Sequence, residues 1–305
     1  MQGISDIIKG RDLSPKIEAQ TAIIGEMTNF FVENGFKWML PVMLSFVTDP
    51  LWPEPAAKHL APPQVEIYGK KMKLMHSMIL HKQLSMAMGL DRIFILSPNV
   101  RIEGADKNDG LHAYEFTQLD FEISRGTGED AMSTIERAVS RAVNSVRESE
   151  ILKSLKRELP RINGQFKSYK MSEVLDGYGS DLALSKVSDR PFWITDISRE
   201  FYDREDEASP GHYRNYDLIL PEGYGEVSSG GEREYRYSAI VGKLKAAGLS
   251  ESSFEPYLQA AKEGLLVPSA GAGIGIERLV RYIVGAKSVE DIQPFPRVPG
   301  VAALV

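Results

Sequence analysis

The chain is expected to fold as an α+β protein in one domain, and three observations lead there. Residues 111–123, LHAYEFTQLDFEI, alternate as a strand does: Glu115, Thr117, Leu119, Phe121 and Ile123 share one face, while Tyr114, Phe116, Gln118, Asp120 and Glu122 share the other. Residues 98–123 read as two antiparallel strands joined by a loop that turns at Asn108-Asp109-Gly110. Helical stretches lie before and after this pair. No repeat, low-complexity tract or linker divides the 305 residues, a length that large one-domain α/β or α+β enzymes reach.

Taken in order, residues 14–34 predict a helix with Ser14 as its cap, Pro15 in the first turn, Gly35 as its stop and an apolar stripe of Ile17, Ile24, Met27 and Phe31. GFKWMLP (35–41) reads as a strand stopped by Pro41, and the proline-rich residues 49–64 as a long loop. A Met-rich helix over 70–88 closes at Gly89, and RIFILS (92–97) is a buried strand. Residues 129–157 are expected to be helical and 160–210 mixed. Strands follow at 216–220 and 224–230, then helices at 232–247 and 252–263. AGAGIGIERLVRYIVG (270–285) reads as a glycine-rich strand running into a helix.

Composition narrows the chemistry. There is no cysteine, which excludes disulfides, thiolate zinc sites and cysteine nucleophiles together. Hydrophobic residues make up 43% and charged residues 26%, no apolar run is long enough to span a membrane, and Met1 opens no basic-then-apolar leader, so a cytoplasmic protein is expected. The formal net charge of −6 does not favour extensive binding to nucleic acid.

Three constellations carry chemistry. Arg101 and Glu103, two apart, are expected on one strand face, beside Phe116, Gln118, Asp120 and Glu122 on the next. An arginine can grip a phosphate or carboxylate, a ring can stack on a purine, and an acid can hold an ammonium; a solvated outer sheet face would look the same. In GAGIGIERL, Gly271, Gly273 and Gly275 leave one strand face without side chains, so a ligand or another backbone can approach. Arg278 stands at the start of the following helix, where a cation does nothing for the dipole. In GEVSSGGER, Glu226 and Ser229 offer hard oxygens suited to magnesium, and Arg233 follows; the plain alternative is a Ser/Gly surface turn.

Together and in this order, these sets resemble the class II aminoacyl-tRNA synthetases, above all the catalytic domains of aspartyl- and asparaginyl-tRNA synthetases. GFKWMLP resembles motif 1, RIEGADKNDGLHAYEFTQLDFE motif 2, and GAGIGIERL motif 3, with FPR (295–297) after it. The resemblance implies an antiparallel sheet flanked by helices whose polar face is an active-site floor. It implies ATP and Mg2+, with Arg101 on the α-phosphate, Phe116 stacked on adenine opposite Arg278, Glu103 on the adenine side and His112 at the outer phosphates. Gly273 and Gly275 would give the nucleotide room, and Glu226 and Ser229 would hold the metal. Gln118 and Asp120 would hold the substrate amino group. SMILHK (77–82) resembles the family's SPQLYK, so that Ser77, Lys82 and Arg233 would form an aspartate pocket; Met78, Ile79 and Ser269 depart from the family pattern. A homodimer through the region of Pro41 is implied as well.

With the first helix starting near residue 14, no anticodon-reading OB-fold barrel is expected; residues 1–305 are read as one catalytic domain with an insertion around 160–210. The expected reaction is accordingly that of the archaeal asparagine synthetases related to this family: ATP-dependent conversion of aspartate and ammonia to asparagine through a β-aspartyl-adenylate, without tRNA. Free ammonia is the expected donor because releasing it from glutamine usually needs a cysteine. The alternatives are an aspartate-activating paralogue that charges tRNA or another acceptor, and a non-catalytic sensor of amino acid or nucleotide.

Overall fold

A computed structural model describes residues 12–51, 62–199 and 201–301. The expected loop 49–64 falls largely outside them. Helix α1 (Ser14–Glu33) is followed by two short strands, β1 (Lys37–Trp38) and β2 (Leu44–Ser45), and a hairpin of β3 (Gln64–Ile67) and β4 (Lys70–Leu74). Next come α2 (Ile79–Ala87), β5 (Arg92–Val100), a 3-10 turn at Ala105–Lys107 and β6 (Glu115–Ser124). Helices α3 (Gly128–Val146) and α4 (Glu150–Ser154) lead to β7 (Lys167–Lys170), α5 (Met171–Tyr178), α6 (Asp181–Val187) and β8 (Phe192–Thr195). Strands β9 (Asn215–Leu220) and β10 (Gly225–Glu232) precede α7 (Tyr237–Ala246) and α8 (Glu255–Lys262). Strand β11 (Ser269–Gly275) runs directly into α9 (Ile276–Val284).

Eight strands form one sheet in the order β1-β5-β6-β11-β10-β9-β8-β7; β1 and β7 run parallel to their neighbours and the other pairs are antiparallel. The α+β expectation therefore holds. One face of the sheet is covered by α1, α3 and α9. Leu119, Phe121 and Ile123 of β6 meet Ile23, Met27 and Phe31 of α1 and Ala138, Ala142 and Val143 of α3 in the main core. That is the apolar face that alternation assigns to β6. The other face is left to the polar half of the pattern.

Several elements differ from the expectation, each for a local reason. Ser14 is the first residue of α1 rather than its cap; its Oγ donates to Glu18. The buried stripe of that helix is Ala19, Ile23, Met27, Phe30 and Phe31, with Ile17 and Ile24 only half buried. Residues 70–74 are strand, not helix. Tyr68 (φ 50°) and Gly69 (φ 73°) both adopt the left-handed region in the two-residue connection from β3 to β4, as a type I′ hairpin requires. The long helix expected over 129–157 is two. Thr127 and Asp130 cap the first reciprocally, and Ser149 Oγ accepts the Leu152 N–H to start the second. Helix α7 begins at Tyr237 and not at 232, because residues 232–234 continue from β10 into the interior, where Arg233 N donates to Ser269 O and Glu234 N to Tyr202 O.

Among the described residues no helix is long and apolar enough to cross a membrane.

Candidate active site

The polar face of β6 is the floor of a cavity of about 340 Å3. The pairing of β6 with β11 explains the glycines: Gln118 stands opposite Gly275, Asp120 opposite Gly273 and Glu122 opposite Gly271. A side-chain carbon on Gly271 would lie 2.2 Å from Phe121 O and 2.3 Å from Glu122 Oε2, and one on Gly273 would lie 2.9 Å from Gln118 Nε2. The space left by these two glycines is thus filled by the long polar side chains of the neighbouring strand, which lean across β11.

These floor groups are tied to two buried cations. Arg233 grips Glu122 with Nε to Oε1 at 3.0 Å and Nη2 to Oε2 at 3.2 Å, the two-pronged geometry that arginine offers a carboxylate. Ser269 Oγ adds a third bond to Glu122 Oε1 at 2.8 Å. Lys82 projects from α2 and is 1% exposed. It donates to Asp120 Oδ1 (2.8 Å), Ala272 O (3.1 Å) and Phe121 O (3.3 Å). Lysine is rarely buried without such partners. Asp120 Oδ2 is buried and has no hydrogen-bond partner. Beside this group Asp203 is buried too; burial pushes its carboxyl above the usual range, against Arg199 and Arg233.

Toward the cavity mouth, Arg101 donates from Nε to His76 O (3.1 Å), and its guanidinium sits 5.2 Å from the centre of the Phe116 ring. Arg101 and Glu103 do not share a strand face, since β5 ends at Val100; both still line the cavity. Arg278 donates from Nη1 to Glu226 O (3.0 Å) and Glu226 Oε1 (3.2 Å). Burial and, after it, the Asp217 carboxylate push Glu226 up, while Arg278 and Arg199 pull it down. A carboxylate crowded by another carboxylate favours a cation, and Asp217 pairs across the strands with Ser229. Among the described residues no three His, Cys, Asp or Glu side chains gather as a metal cage. Magnesium in general takes one or two carboxylates and fills its shell from water and phosphate.

All the residues singled out from the sequence as substrate, nucleotide or metal contacts line this one cavity: Ser77, Lys82 and Arg233; Gln118 and Asp120; Arg101, Glu103, His112 and Phe116; Glu226, Ser229, Gly273, Gly275 and Arg278. Sequence reasoning missed Asp49, Arg199, Tyr202, Asp203 and Glu277 in its wall. Arg199 pairs with Asp217 (2.9 Å), and Tyr202 OH donates to Asp49 Oδ2 (2.8 Å). Asp217, the partner of Arg199 behind the wall, stands out in the sequence as the one charge in the apolar run YDLIL.

Two imidazoles lie close to Lys82 in sequence: His76 is buried and His81 half-buried. His76 Nδ1 bonds Asp49 O, and His81 Nε2 bonds Ser45 Oγ while its Nδ1 has no partner. Burial holds both below the ordinary histidine range. The unfolded chain, whose imidazoles titrate near pH 6.5, therefore takes up protons first as pH falls. The stability present above about pH 6.5 is expected to erode below it. Urea midpoints measured from roughly pH 7.5 down to 5 should fall, and His81→Gln should remove part of that slope. An unchanged slope in His81→Gln would show that His81 titrates normally.

A family model described as tRNA synthetases class II (D, K and N) matches residues 3–299. The asparagine–tRNA ligase of Thermoplasma acidophilum is 25% identical over 321 residues, covering 95% of this chain and 70% of that protein. The aspartate–tRNA(Asp/Asn) ligase of Methanopyrus kandleri is 33% identical over 241 residues, covering 72% of this chain and 54% of that protein. The crystal structure of asparaginyl-tRNA synthetase from Pyrococcus horikoshii complexed with asparaginyl-adenylate superposes with a TM-score of 0.84 at 24% identity, over 95% of this chain and 70% of that one. At that identity the likeness shows the fold. The relatives are named as tRNA ligases, and this overturns two expectations: ammonia as the acceptor with free asparagine as product, and a chain that does not meet tRNA. The acidic balance misled, because net charge says little about a local docking surface.

Proposed function

Since the chain belongs to the tRNA synthetases class II (D, K and N), we propose that it activates aspartate with ATP as aspartyl-adenylate and passes the aspartyl group to tRNA or another acceptor. The observation that carries this reading is the meeting of Arg101, Arg278 and Glu226 with Lys82 and Arg233 in one cavity. Residues 1–305 act in it as one catalytic domain, with 160–210 an elaboration of the sheet edge.

In this reading the substrate ammonium meets Asp120 Oδ2, the buried acceptor without another partner, beside Gln118. Lys82 and Arg233 face the side-chain carboxylate. An α-carboxylate oxygen attacks the α-phosphorus of ATP, and the bond to the bridging oxygen breaks to release pyrophosphate. Arg101 and Arg278 are fixed cations, so charge gathering on the phosphoryl oxygens is stabilised without reorganisation. Phe116 gives the adenine a stacking face, Glu103 reads its edge, and Gly275 keeps the wall low. Glu226 and Ser229, with Asp217 opposite, would hold Mg2+, which supplies charge neutralisation at the phosphates. An acceptor hydroxyl then attacks the aspartyl carbonyl carbon, and AMP departs with the bonding pair.

One observation favours asparagine as a second reading: Asp120 and Glu122 neutralise Lys82 and Arg233 here, so both of these floor cations are already paired before a substrate carboxylate arrives. ATP–pyrophosphate exchange with each amino acid decides between them. Exchange dependent on aspartate, falling about 100-fold in Arg101→Ala or Glu226→Gln, is expected, as is aspartyl-tRNA on adding tRNA. The absence of exchange with both amino acids would sink the proposal.

A further inference from the structure

The loop between β5 and β6 carries a pair that the reading above does not use. Asp109 Oδ1 accepts the backbone N–H of Leu111 (2.9 Å) and of His112 (3.1 Å), and its Oδ2 lies 2.8 Å from His112 Nδ1. The carboxylate is thus fixed by its own backbone before it meets the ring. Partial burial pushes this carboxyl up, but the Leu111 amide and the His112 ring outweigh it and hold it below the usual range. An ionised carboxylate only accepts, so the proton of a neutral His112 ring stays on Nδ1, and Nε2 on the opposite edge is left for a ligand.

The loop is also held against the site. Arg278 Nε donates to Leu111 O (3.4 Å), and Val289 N donates to Gly110 O (3.0 Å). Gly110 has φ +83°, and a side-chain carbon there would lie 3.4 Å from Lys287 O. The ring is therefore mounted on a loop braced by the same arginine that reaches Glu226, and His112 lines the cavity.

We propose that Asp109 is a positioning residue: it fixes the tautomer and orientation of His112 so that Nε2 addresses the outer phosphates of ATP. The inference rests on the nucleotide site proposed above. A purely structural alternative exists, in which Asp109 only closes the turn at Gly110. Asp109→Asn separates the two. Both carboxylate oxygens face the ring, Oδ2 at 2.8 Å and Oδ1 at 3.0 Å from Nδ1. The asparagine Oδ1 can still accept both backbone N–H groups, while the amide in place of Oδ2, at the nearer contact, aims an N–H at Nδ1 and favours the tautomer in which Nδ1 is bare.

Two measurements test it on the full chain. Nitrogen NMR of His112 at a pH where the ring is neutral should show the Nδ1–H form dominant in the native protein and a minor form in Asp109→Asn. Calorimetry should show the affinity for MgATP falling roughly tenfold in the variant, a change on the order of 1.4 kcal/mol, with the affinity for AMP unchanged. An unaltered tautomer, or equal losses for ATP and AMP, would overturn the proposal. So would a shifted tautomer with native ATP affinity, or a native protein that binds no ATP. A native protein that binds ATP but shows no pyrophosphate exchange would defeat the proposed activity and leave the Asp109 test intact.

Discussion

Arg233→Leu is expected to cost about 3–5 kcal/mol of stability, the usual penalty for removing one partner of a buried ion pair. Arg233 is 3% exposed and Glu122 is 0% exposed, so the carboxylate left behind has no water to turn to. Ser269 Oγ is one hydrogen bond, and Lys82 Nζ at 3.8 Å is already committed to Asp120. The loss comes mainly from the stranded charge, which a second substitution demonstrates. Glu122→Gln in the Arg233→Leu background should recover on the order of 2 kcal/mol in a double-mutant cycle of urea unfolding. The double variant should remain unable to support amino-acid-dependent exchange, because the floor has lost one of its two cations. If Arg233→Leu unfolds within about 1 kcal/mol of the native protein, the pair does not hold these charges.

Gly271→Ala should destabilise by about 3 kcal/mol, at the upper end of the range for overpacking. The added methyl would fall 2.2 Å from a backbone oxygen of β6, which can yield only if the strands separate. The nearest side-chain atom, 2.3 Å away, is Glu122 Oε2, so the same methyl would also disturb the grip of Arg233. Gly275→Ala serves as the contrast: its nearest neighbour is 3.5 Å away, at ordinary contact, and its urea midpoint should stay close to native. Equal midpoints for the two variants would show that strand spacing at Gly271 is soft.

The floor of the site was legible in the sequence because a strand writes its two environments at alternate positions. Leu119, Phe121 and Ile123 went to the core, and Phe116, Gln118 and Asp120 to the cavity, as the period of two requires. Glycines at 271, 273 and 275 announced an empty face but not what fills it. That depends on register between β6 and β11, which no single segment encodes. Lys82 reads as an ordinary helix lysine; its burial is decided by the acids and carbonyls of strands that the helix meets only after folding. The strand at 70–74 was hidden because Lys and Met favour helices and Tyr68-Gly69 is not the usual Asn-Gly turn. Arg199 and Asp203 lie in a segment without period, so pattern could not place them in the wall. The acceptor was misread for a different reason: it follows from what docks outside the cavity, while the motifs describe only its interior.

The order of strands in the large sheet has a consequence for how the protein comes to exist. Strand β6 is bordered by β11, and its residue Ser124 pairs with Ser269, near the far end of the described chain. The floor cannot assemble from local hairpins; a long stretch of chain must be gathered before the central pairing rewards it. Folding is therefore expected to be slow beside that of a helical bundle. A nascent chain still lacking residues 269–275 presents β6 with a bare edge beside an apolar face, the kind of surface that pairs with other chains. Until synthesis passes β11 that edge is expected to stay open to pairing with other chains.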